Sequence, residues 1–513
     1  LPNPNLRSWF GRTREGVPQI VTTPMVKGTT AAAILEDWKK HLRKLKDELP
    51  GLWRFEMDMA AKVGPMSYQF PLSERMLDID SYYDSILNES EPVSDVALDA
   101  VLSEWGDNCI SVRSPQETVS QMKLSTSSGA PYFTKRRNVV RPTLRTQVNH
   151  STQMLDGQEY NLTAILGWRG QEGGPKRTDV KQRVIWMFPF AVNLQELRVY
   201  QPLIEHAQRK KLVPAWISMA EVDGEITSLF DTKGKDELVI CTDFTKFDQH
   251  FNPSCQEAAA KMLSSMLLES SDSSYWMKEI FPIKYNIPMC YDWGEFRHGL
   301  HGMASGSGGT NADETLVHRA LQHEAAQDAG ATLNPHSQCL GDDGIISFPG
   351  ITVDKVLKSY TKHGLNMNES KQSASTTECI YLRRWHAYDY RIDGVCVGVY
   401  ATCRALGRLM YQERYYDPDT WGPEMVALRQ LSILENVKYH PLREEFAQFV
   451  MKRDKFRLGL DLPGFLDNLE VIALEAKANM EDFLGYTKSQ QSAGDPTAGI
   501  ASWWIVRYLK SLA

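Results

Sequence analysis

Apolar residues at Ile34, Leu35, Trp38, Leu42, Leu45 and Leu49 recur close to helical spacing, with Lys39, Lys40, Arg43, Lys44 and Lys46 mostly on the other side. The spacing predicts an amphipathic helix within 30–49. Its basic face suits RNA or a membrane surface, but the plainer reading is a helix packed by its apolar side with its charges in water. Ahead of it, Pro2, Pro4, Gly11, Gly16, Pro18 and Pro24 predict an extended arm over 1–28.

Strand signals follow at 184–188 and at 236–243, the latter a short β-branched run ending on Asp243. Residues 310–327 read as a helix opening on Thr310 and Asn311, both competent N-caps. Residues 337–348 read as a hairpin with apolar strands around Gly341-Asp342-Asp343-Gly344. Val353, Val356, Leu357 and Tyr360 mark one helix face, with Gly364 as its C-cap. Strand, helix, hairpin and helix in succession make an α+β pattern. Further helices are expected at 424–435 and 464–485. Residues 494–499 read as a linker to Trp503-Trp504-Ile-Val-Arg-Tyr508, a closing helix or a plug, with ordinary packing the plainer choice.

The 513 residues are 42% hydrophobic and 24% charged, the profile of a folded chain, which excludes a disordered or collagen-like protein. The length suggests about three domains. No apolar run approaches the roughly 20 residues that span a bilayer. The chain begins at Leu1, which reads as a trimmed start, and shows no signal-peptide pattern. Eight cysteines without a C-x-x-C pair argue against a zinc site or a disulfide scaffold and fit reduced thiols.

The net charge is −7, yet 123–183 holds eleven Lys/Arg against four acids. A basic block inside an acidic chain suggests a wall that handles phosphate, although a solvated mixed surface would look the same.

Gly-Asp-Asp alone is also an ordinary hairpin turn, and paired acids such as Asp243 and Asp248 are common. Together they say more. If the two strands lie side by side, Asp243, Asp342 and Asp343 form one cluster, unfavourable unless cations or protons compensate it. Hard oxygen ligands of this kind suit Mg²⁺, and a pair of such ions serves phosphoryl transfer. The Gly-rich stretch 302–311 would let backbone approach a ligand closely. It is neither a P-loop nor a G-x-S-x-G turn. Lys181 and Arg183 fall on one strand face, where a triphosphate would bridge them. A tight polar loop with Ser128, Gly129 and Pro131 precedes Lys135-Arg136-Arg137 and is suited to guiding a nucleic-acid backbone.

With these segments in order, residues 120–390 resemble a viral RNA-dependent RNA polymerase of the right-hand type. Residues 243–248 are similar to motif A, Ser305-Gly306-x-x-x-Thr310 to motif B, and Gly341-Asp342-Asp343 to motif C. Residues 353–371 resemble motif D with Lys371 at its lysine, and 379–384 the primer-grip motif E, including Arg383. Lys181-Gln-Arg183 resembles motif F, and Ser128-Gly129-Ala-Pro131-Tyr132 motif G. Asp-Phe-Thr-Lys-Phe-Asp with Ser-Gly-Ser-Gly-Gly-Thr-Asn is most similar to polymerases of picobirnaviruses, which have double-stranded RNA genomes. One position departs: many members place Asn four residues after the motif B Thr to sense the ribose 2′-hydroxyl, and here it is Glu314. Asn311, or Asp248 with Ser305 and Thr310, would take that role.

The resemblance implies fingers, palm and thumb, with an antiparallel palm sheet backed by helices. The implied boundaries are an N-terminal extension with fingertips (1–110), fingers (111–235), palm with a fingers insertion (236–300), palm (301–390), thumb (391–488) and a C-terminal segment (489–513). It implies template-directed RNA synthesis, in replication and transcription, with Asp243, Asp342 and Asp343 holding two Mg²⁺, for which Mn²⁺ can substitute. Lys371 would be the general acid. Lys181, Arg183, Asp248, Ser305, Thr310 and Asn311 would bind nucleotide, and Ser128, Gly129, Pro131 and Arg383 would bind RNA. Implied partners are template and product RNA, ribonucleoside triphosphates and a viral capsid protein, with the virion interior and host cytoplasm as location. Two alternatives stay open. A reverse transcriptase shares the palm, but its hairpin usually has an aromatic where Leu340 stands, and Asp248 suits a 2′-hydroxyl. A non-catalytic RNA-binding virion protein with a polymerase-like fold is the other.

Overall fold

The structure, a computed structural model, describes residues 4–479 and 499–513. Its contacts divide it into two units. The first comprises Pro71–Trp168 and Val184–Tyr381 with the described part of Leu1–Glu15; the second comprises Gly16–Phe70, Arg169–Arg183 and the described part of Leu382–Ala513.

The first unit is built around a four-stranded antiparallel sheet. Its strands are β1 (Val239–Thr242), β2 (Gln338–Leu340), β3 (Asp343–Ile346) and β4 (Ser373–Ser375), in the order β4-β1-β3-β2. Val239, Ile240, Ile345 and Ile346 are buried completely, which accounts for the β-branched runs in the sequence. Four helices matter to the site: α1 (Phe190–Lys210), α2 (Pro253–Met266), α3 (Thr310–Asp328) and α4 (Val353–Thr361). Helix α3 packs on β2, α2 and α4, so it is buried nearly all round, with Leu316, Val317, Ala320 and Leu321 inaccessible and the polar side chains of Asp313, Glu314, Thr315 and His318 buried beside them. A second sheet pairs Ala164–Ile165 in parallel with Met289–Cys290, and Met289–Asp292 antiparallel with Glu295–Arg297.

Two expectations are corrected. The start of the chain is not an extended arm: Pro4–Glu15 is a helix. Pro at the first helical position lacks only an N–H that would have no partner there. Gly11 inside the helix costs about 1 kcal/mol. That is less than the roughly 1.5–3 kcal/mol each from burying Leu6 and Phe10, which pack on Ala130, Ile165 and Cys290. Nor do Thr310 and Asn311 cap α3. Gly309 is the N-cap residue, with no side-chain cap bond, because the loop before it packs too closely to admit a Cβ: one placed on Gly309 would lie 2.4 Å from the Tyr200 ring.

In the second unit the 30–49 pattern becomes helices Ala31–Leu42, capped by Thr30, and Leu45–Glu48. Trp38 is buried against Phe446 and Phe449 and donates to Thr402 Oγ1 at 2.8 Å, while Lys39 and Lys40 pair with acids on their own helix. The basic face is thus a solvated one. The predicted C-terminal helices are Pro423–Glu435, Leu469–Asn479 and Trp504–Leu512. The last packs through Ile505, Val506 and Leu509, and Glu435 accepts from the backbone N–H of Trp504 and Ile505 at 3.1 and 3.0 Å. That is ordinary packing with a carboxylate at a helix start. Most of the expected 494–499 linker, and the predicted helix beyond 479, lie outside the described residues. Among the described residues no helix is long and apolar enough to cross a membrane, and the eight cysteines form no disulfide.

Candidate active site

Register brings the acids together. Thr242 on β1 pairs with Gly344 on β3, and Leu340 on β2 with Asp343. Carried one step further, the β1–β3 ladder sets Asp243 level with the Asp342-Asp343 turn. Neighbouring strands are about 5 Å apart, so 99 residues of sequence separation collapse to side-chain distance.

Backbone contacts hold the segments that carry the acids. The Asp243 N–H donates to Gln372 Oε1 and its carbonyl accepts from Gln372 Nε2, both at 2.8 Å. Past it the chain turns through Lys246 at φ +50°, while Phe244 and Phe247 are buried against each other and against His318. The apolar members of the 243–248 run therefore serve as its anchor. The Gly-Asp-Asp turn is gripped by α3 from both sides: Gly341 N–H donates to Thr315 Oγ1 at 2.9 Å, and the Gly341 carbonyl accepts from His318 Nδ1 at 2.8 Å. Gly341 needs φ +57°, and a Cβ on Gly344 would stand 2.6 Å from the His318 ring. Burial pushes the His318 pKa down to about 4, so the ring is neutral and its Nδ1 carries the proton. Asp342 is exposed and Asp343 half-buried; burial first, and then the charge of Asp343, raises the pKa of Tyr381.

Glu314 reports the convergence most directly. It is buried on α3, its side chain is hydrogen-bonded to Asp248, and it feels the charges of Asp342 and Asp313. Burial first, then these acids, drive its pKa well above the usual carboxyl range, so it keeps its proton. Acids from the helical turn Phe247–His250 that follows β1, from α3 and from the hairpin thus share one field.

The donor set is of hard oxygens, as Mg²⁺ requires. Among the described residues no three His, Cys, Asp or Glu side chains close on a single point as a ready cage. Mg²⁺ needs none, since it is commonly bound by one or two carboxylates and completes its shell with water and substrate phosphate. The residues present fit such an ion.

The Gly-rich loop lies against neighbouring backbone. Ser305 Oγ donates to the Val184 carbonyl at 3.2 Å, and a Cβ on Gly306 would stand 1.6 Å from the Trp186 oxygen. Thr310 Oγ1 faces the carbonyls of Ala304 and Ser307 at 3.2 and 3.3 Å. Asn311 Oδ1 accepts from Trp216 Nε1 at 2.9 Å. Ser128 and Gly129 are buried. Ser128 Oγ accepts from Thr134 N–H at 3.0 Å, and a Cβ on Gly129 would meet the Phe188 carbonyl at 2.4 Å. Pro131, also buried, follows a cis peptide bond. These residues shape their loop, and Lys135 and Arg137 stand exposed beside it. Lys371 is exposed on the turn Glu369–Lys371, one residue before the Gln372 clamp.

In the second unit Lys181 and Arg183 are exposed on one strand face. Gln182 between them turns the other way, donating to the Tyr68 carbonyl at 2.9 Å and accepting from Phe70 N–H at 3.3 Å. Arg383, at φ +62°, stands near the Glu172 carboxylate, which pairs with Arg404 at 3.1 Å and Arg408 at 3.3 Å.

Gln372, Thr315, His318 and the Glu314–Asp248 contact were not singled out from sequence as working parts of the site. Gln372 and Thr315 carry no local signal at all. Glu314 did carry one, as a departure from the motif.

Comparison with known proteins agrees with the geometry. A sequence model described as "Viral RNA-dependent RNA polymerase" matches residues 103–389. A protein described as "Potential RNA-dependent RNA polymerase", from Human picobirnavirus (strain Human/Thailand/Hy005102/-), is 56% identical, over 100% of this chain and 97% of that one. The crystal structure of the RNA-dependent RNA polymerase of a human picobirnavirus superposes with a TM-score of 0.95 at 56% identity, covering 100% of this chain and 98% of that one. The insertion loop deletion mutant of such a polymerase gives 0.94 at 54%, covering 100% and 97%. The α+β fold described above is accordingly that of a right-hand polymerase, and the chain belongs to the viral RNA-dependent RNA polymerases, enzymes that make RNA on an RNA template.

Proposed function

We propose that nucleotidyl transfer takes place at the Asp243–Asp342–Asp343 cluster, with these three carboxylates holding two Mg²⁺ ions, which Mn²⁺ can replace. The observation that carries this reading is the shared field of acids from three elements, in which Glu314 retains its proton. When bound, the ions supply a lowered pKa for the 3′-hydroxyl of the growing strand and neutralise charge on the leaving pyrophosphate. The Gln372 clamp and the Thr315–His318 grip keep the acids at fixed positions, so little reorganisation is needed as charge develops.

Lys181 and Arg183, adjacent cations on one strand face, bind the triphosphate. Asp248, with Ser305, Thr310 and Asn311 in the loop and helix start next to it, contacts the nucleotide sugar. Lys371 delivers a proton to the pyrophosphate oxygen as general acid. The loop shaped by Ser128, Gly129 and Pro131 guides the template backbone through its exposed cations, and Arg383 contacts the product strand. A viral capsid protein is a further partner, and the virion interior and host cytoplasm the places of action.

The test is synthesis from a short RNA with Mg²⁺ and the four ribonucleotides, with and without primer, in the wild type and in Asp342→Ala. The wild type should make template-length complementary RNA and the variant none. RNA binding without Mg²⁺-dependent synthesis by the wild type would return the non-catalytic reading, and a fully active Asp342→Ala would remove the catalytic assignment.

A further inference from the structure

Glu196 lies outside every motif named above, yet it is the centre of a buried polar chain. It sits on α1 with no accessible surface. Its carboxylate accepts from Gly308 N–H at 3.0 Å, from the Ser307 hydroxyl, and from Asn193 Nδ2 at 3.1 Å. Asn193 Nδ2 also donates to the Gly306 carbonyl at 3.3 Å, while its oxygen accepts from Arg136 Nη2 at 2.9 Å. One end of this chain is therefore three consecutive residues of the Gly-rich loop. The other end is the middle cation of Lys135-Arg136-Arg137.

Arg136 is placed to respond to what that loop holds. Its guanidinium lies 5.2 Å from the Phe190 ring centroid, and Nη1 donates to the Lys123 carbonyl at 3.1 Å. Its Nε is buried with no hydrogen-bond partner among the described residues. Lys135 and Arg137 flank it in solvent. A second link runs parallel: Phe190 N–H, at the start of α1, donates to the Ser128 carbonyl at 2.9 Å. A buried carboxyl is unfavourable unless its acceptor positions are filled, so Glu196 ties the Ser307–Gly308 backbone to wherever Asn193 stands. The loop has little freedom of its own, because Gly306 and Gly309 touch Trp186 and Tyr200 more closely than a Cβ would allow.

Resting on the reading of this basic segment as the template guide, we propose that Arg136, Asn193 and Glu196 form a relay. It passes occupancy of that segment by RNA phosphate to the Gly-rich loop, which makes Glu196 a positioning residue for the incoming nucleotide. A phosphate bound between Lys135 and Arg137 draws the Arg136 guanidinium, whose Nη2 orients the Asn193 amide. The same amide then sets the Gly306 carbonyl and the Glu196 carboxylate, and with them the peptide that faces the nucleotide. Coupling of this kind is carried by hydrogen-bonded side chains having alternative arrangements.

The experiment is hydrogen exchange on the full chain with and without single-stranded oligouridylate. In the wild type, RNA should raise protection over both 124–137 and 305–309. In Asn193→Leu, and in Arg136→Met, which cuts the relay at its surface end and spares the buried interior, the rise at 124–137 should persist and that at 305–309 should vanish. An unchanged rise at 305–309 in Arg136→Met would mean direct contact with RNA and would overturn the relay. So would a wild type that binds RNA without protecting 305–309. A wild type that binds no RNA would instead sink the template reading on which the relay rests. In steady-state synthesis Glu196→Ala should raise the nucleotide KM about tenfold with much less change in kcat, and Glu196→Gln, which keeps an acceptor for Gly308, should restore most of it. A loss confined to kcat, or no recovery in Glu196→Gln, would refute the positioning role.

Discussion

Asp313 and Glu314 are neighbours on α3, equally buried, and they solve the problem of a buried acid in opposite ways. Asp313 faces inward. It accepts from the hydroxyls of Tyr200 and Tyr285 at 2.7 Å each and pairs at 3.1 Å with Lys284, which is itself inaccessible. Lys284 also donates to the Phe281 carbonyl and lies 3.6 Å from the Phe281 ring centroid. Glu314 faces the catalytic acids, and burial together with the charges of Asp248 and Asp342 makes it keep its proton instead. One side of the helix is a finished electrostatic structure and the other an unfinished one. An acid cluster completed by charge brought from outside can bind and release it, whereas a cluster completed internally can only hold the fold.

The contrast is broken most severely from the open side. Asp342→Ala removes an exposed carboxylate that supports no packing, so the expected result is loss of nucleotide incorporation by at least about 10²–10³-fold. The unfolding midpoint should stay within the scatter of surface substitutions, about 0.5 kcal/mol. Calorimetry and single-turnover incorporation on the same preparation check both halves. A variant that loses stability along with activity would show that the exposed acids are structural after all.

From the closed side the ordering is reversed. Lys284→Met leaves the Asp313 carboxylate buried without its cation and should cost about 3–5 kcal/mol of stability. Adding Asp313→Leu should return much of it, since an apolar pair of similar volume often replaces a buried ion pair without loss. Denaturant unfolding of the two variants decides the point: a double variant no better than the single one would mean that the tyrosine hydroxyls, and not the lysine, set the energetics.

How much of this could be read from the chain follows the same division. The sheet, the helix after the Gly-rich loop and the acids were legible because each is a local signal: a β-branched run, an apolar period, an Asp-Gly turn. The apolar faces of the 30–49 segment gave its helices and its solvated cations correctly. What was not legible depends on partners far away in sequence. Lys284 and Asp313 are separated by 29 positions, Glu196 and Ser307 by 111, and nothing in the neighbourhood of either marks it as paired. The Pro4–Glu15 helix was missed for a related reason, because local breakers were outweighed by tertiary burial of Leu6 and Phe10.

A smaller effect sharpens the open side. Lys371 stands on the turn next to Gln372, which clamps Asp243, so substitution can act by removing a proton donor or by disturbing the clamp. Lys371→Leu should slow single-turnover incorporation by about 10²-fold without abolishing it, the usual scale for general acid catalysis. Gln372→Ala tests the other route, because loosening Asp243 should weaken Mg²⁺ dependence as well as rate. If Lys371→Leu also shifts the Mg²⁺ concentration needed, the clamp and not the proton is at fault.

The smallest expected effect concerns His318, which holds the Gly-Asp-Asp turn from the closed interior. Burial lowers its folded pKa to about 4, while an unfolded histidine titrates near 6.5. Between those values the unfolded chain binds the extra proton, so this group's share of stability is intact above about pH 6.5 and is lost as pH falls toward 4. Going from pH 7 to pH 5 should cost about 2 kcal/mol through this residue. His318→Gln keeps a donor for the Gly341 carbonyl and cannot titrate. It should therefore flatten the pH dependence of unfolding in that window while lowering stability at pH 7 only modestly. The same variant separates turn geometry from protonation: if its incorporation rate keeps the wild-type value while its stability curve flattens, the donor to Gly341 is what the Gly-Asp-Asp turn needs. A curve as steep as the wild type's would place the titrating group elsewhere.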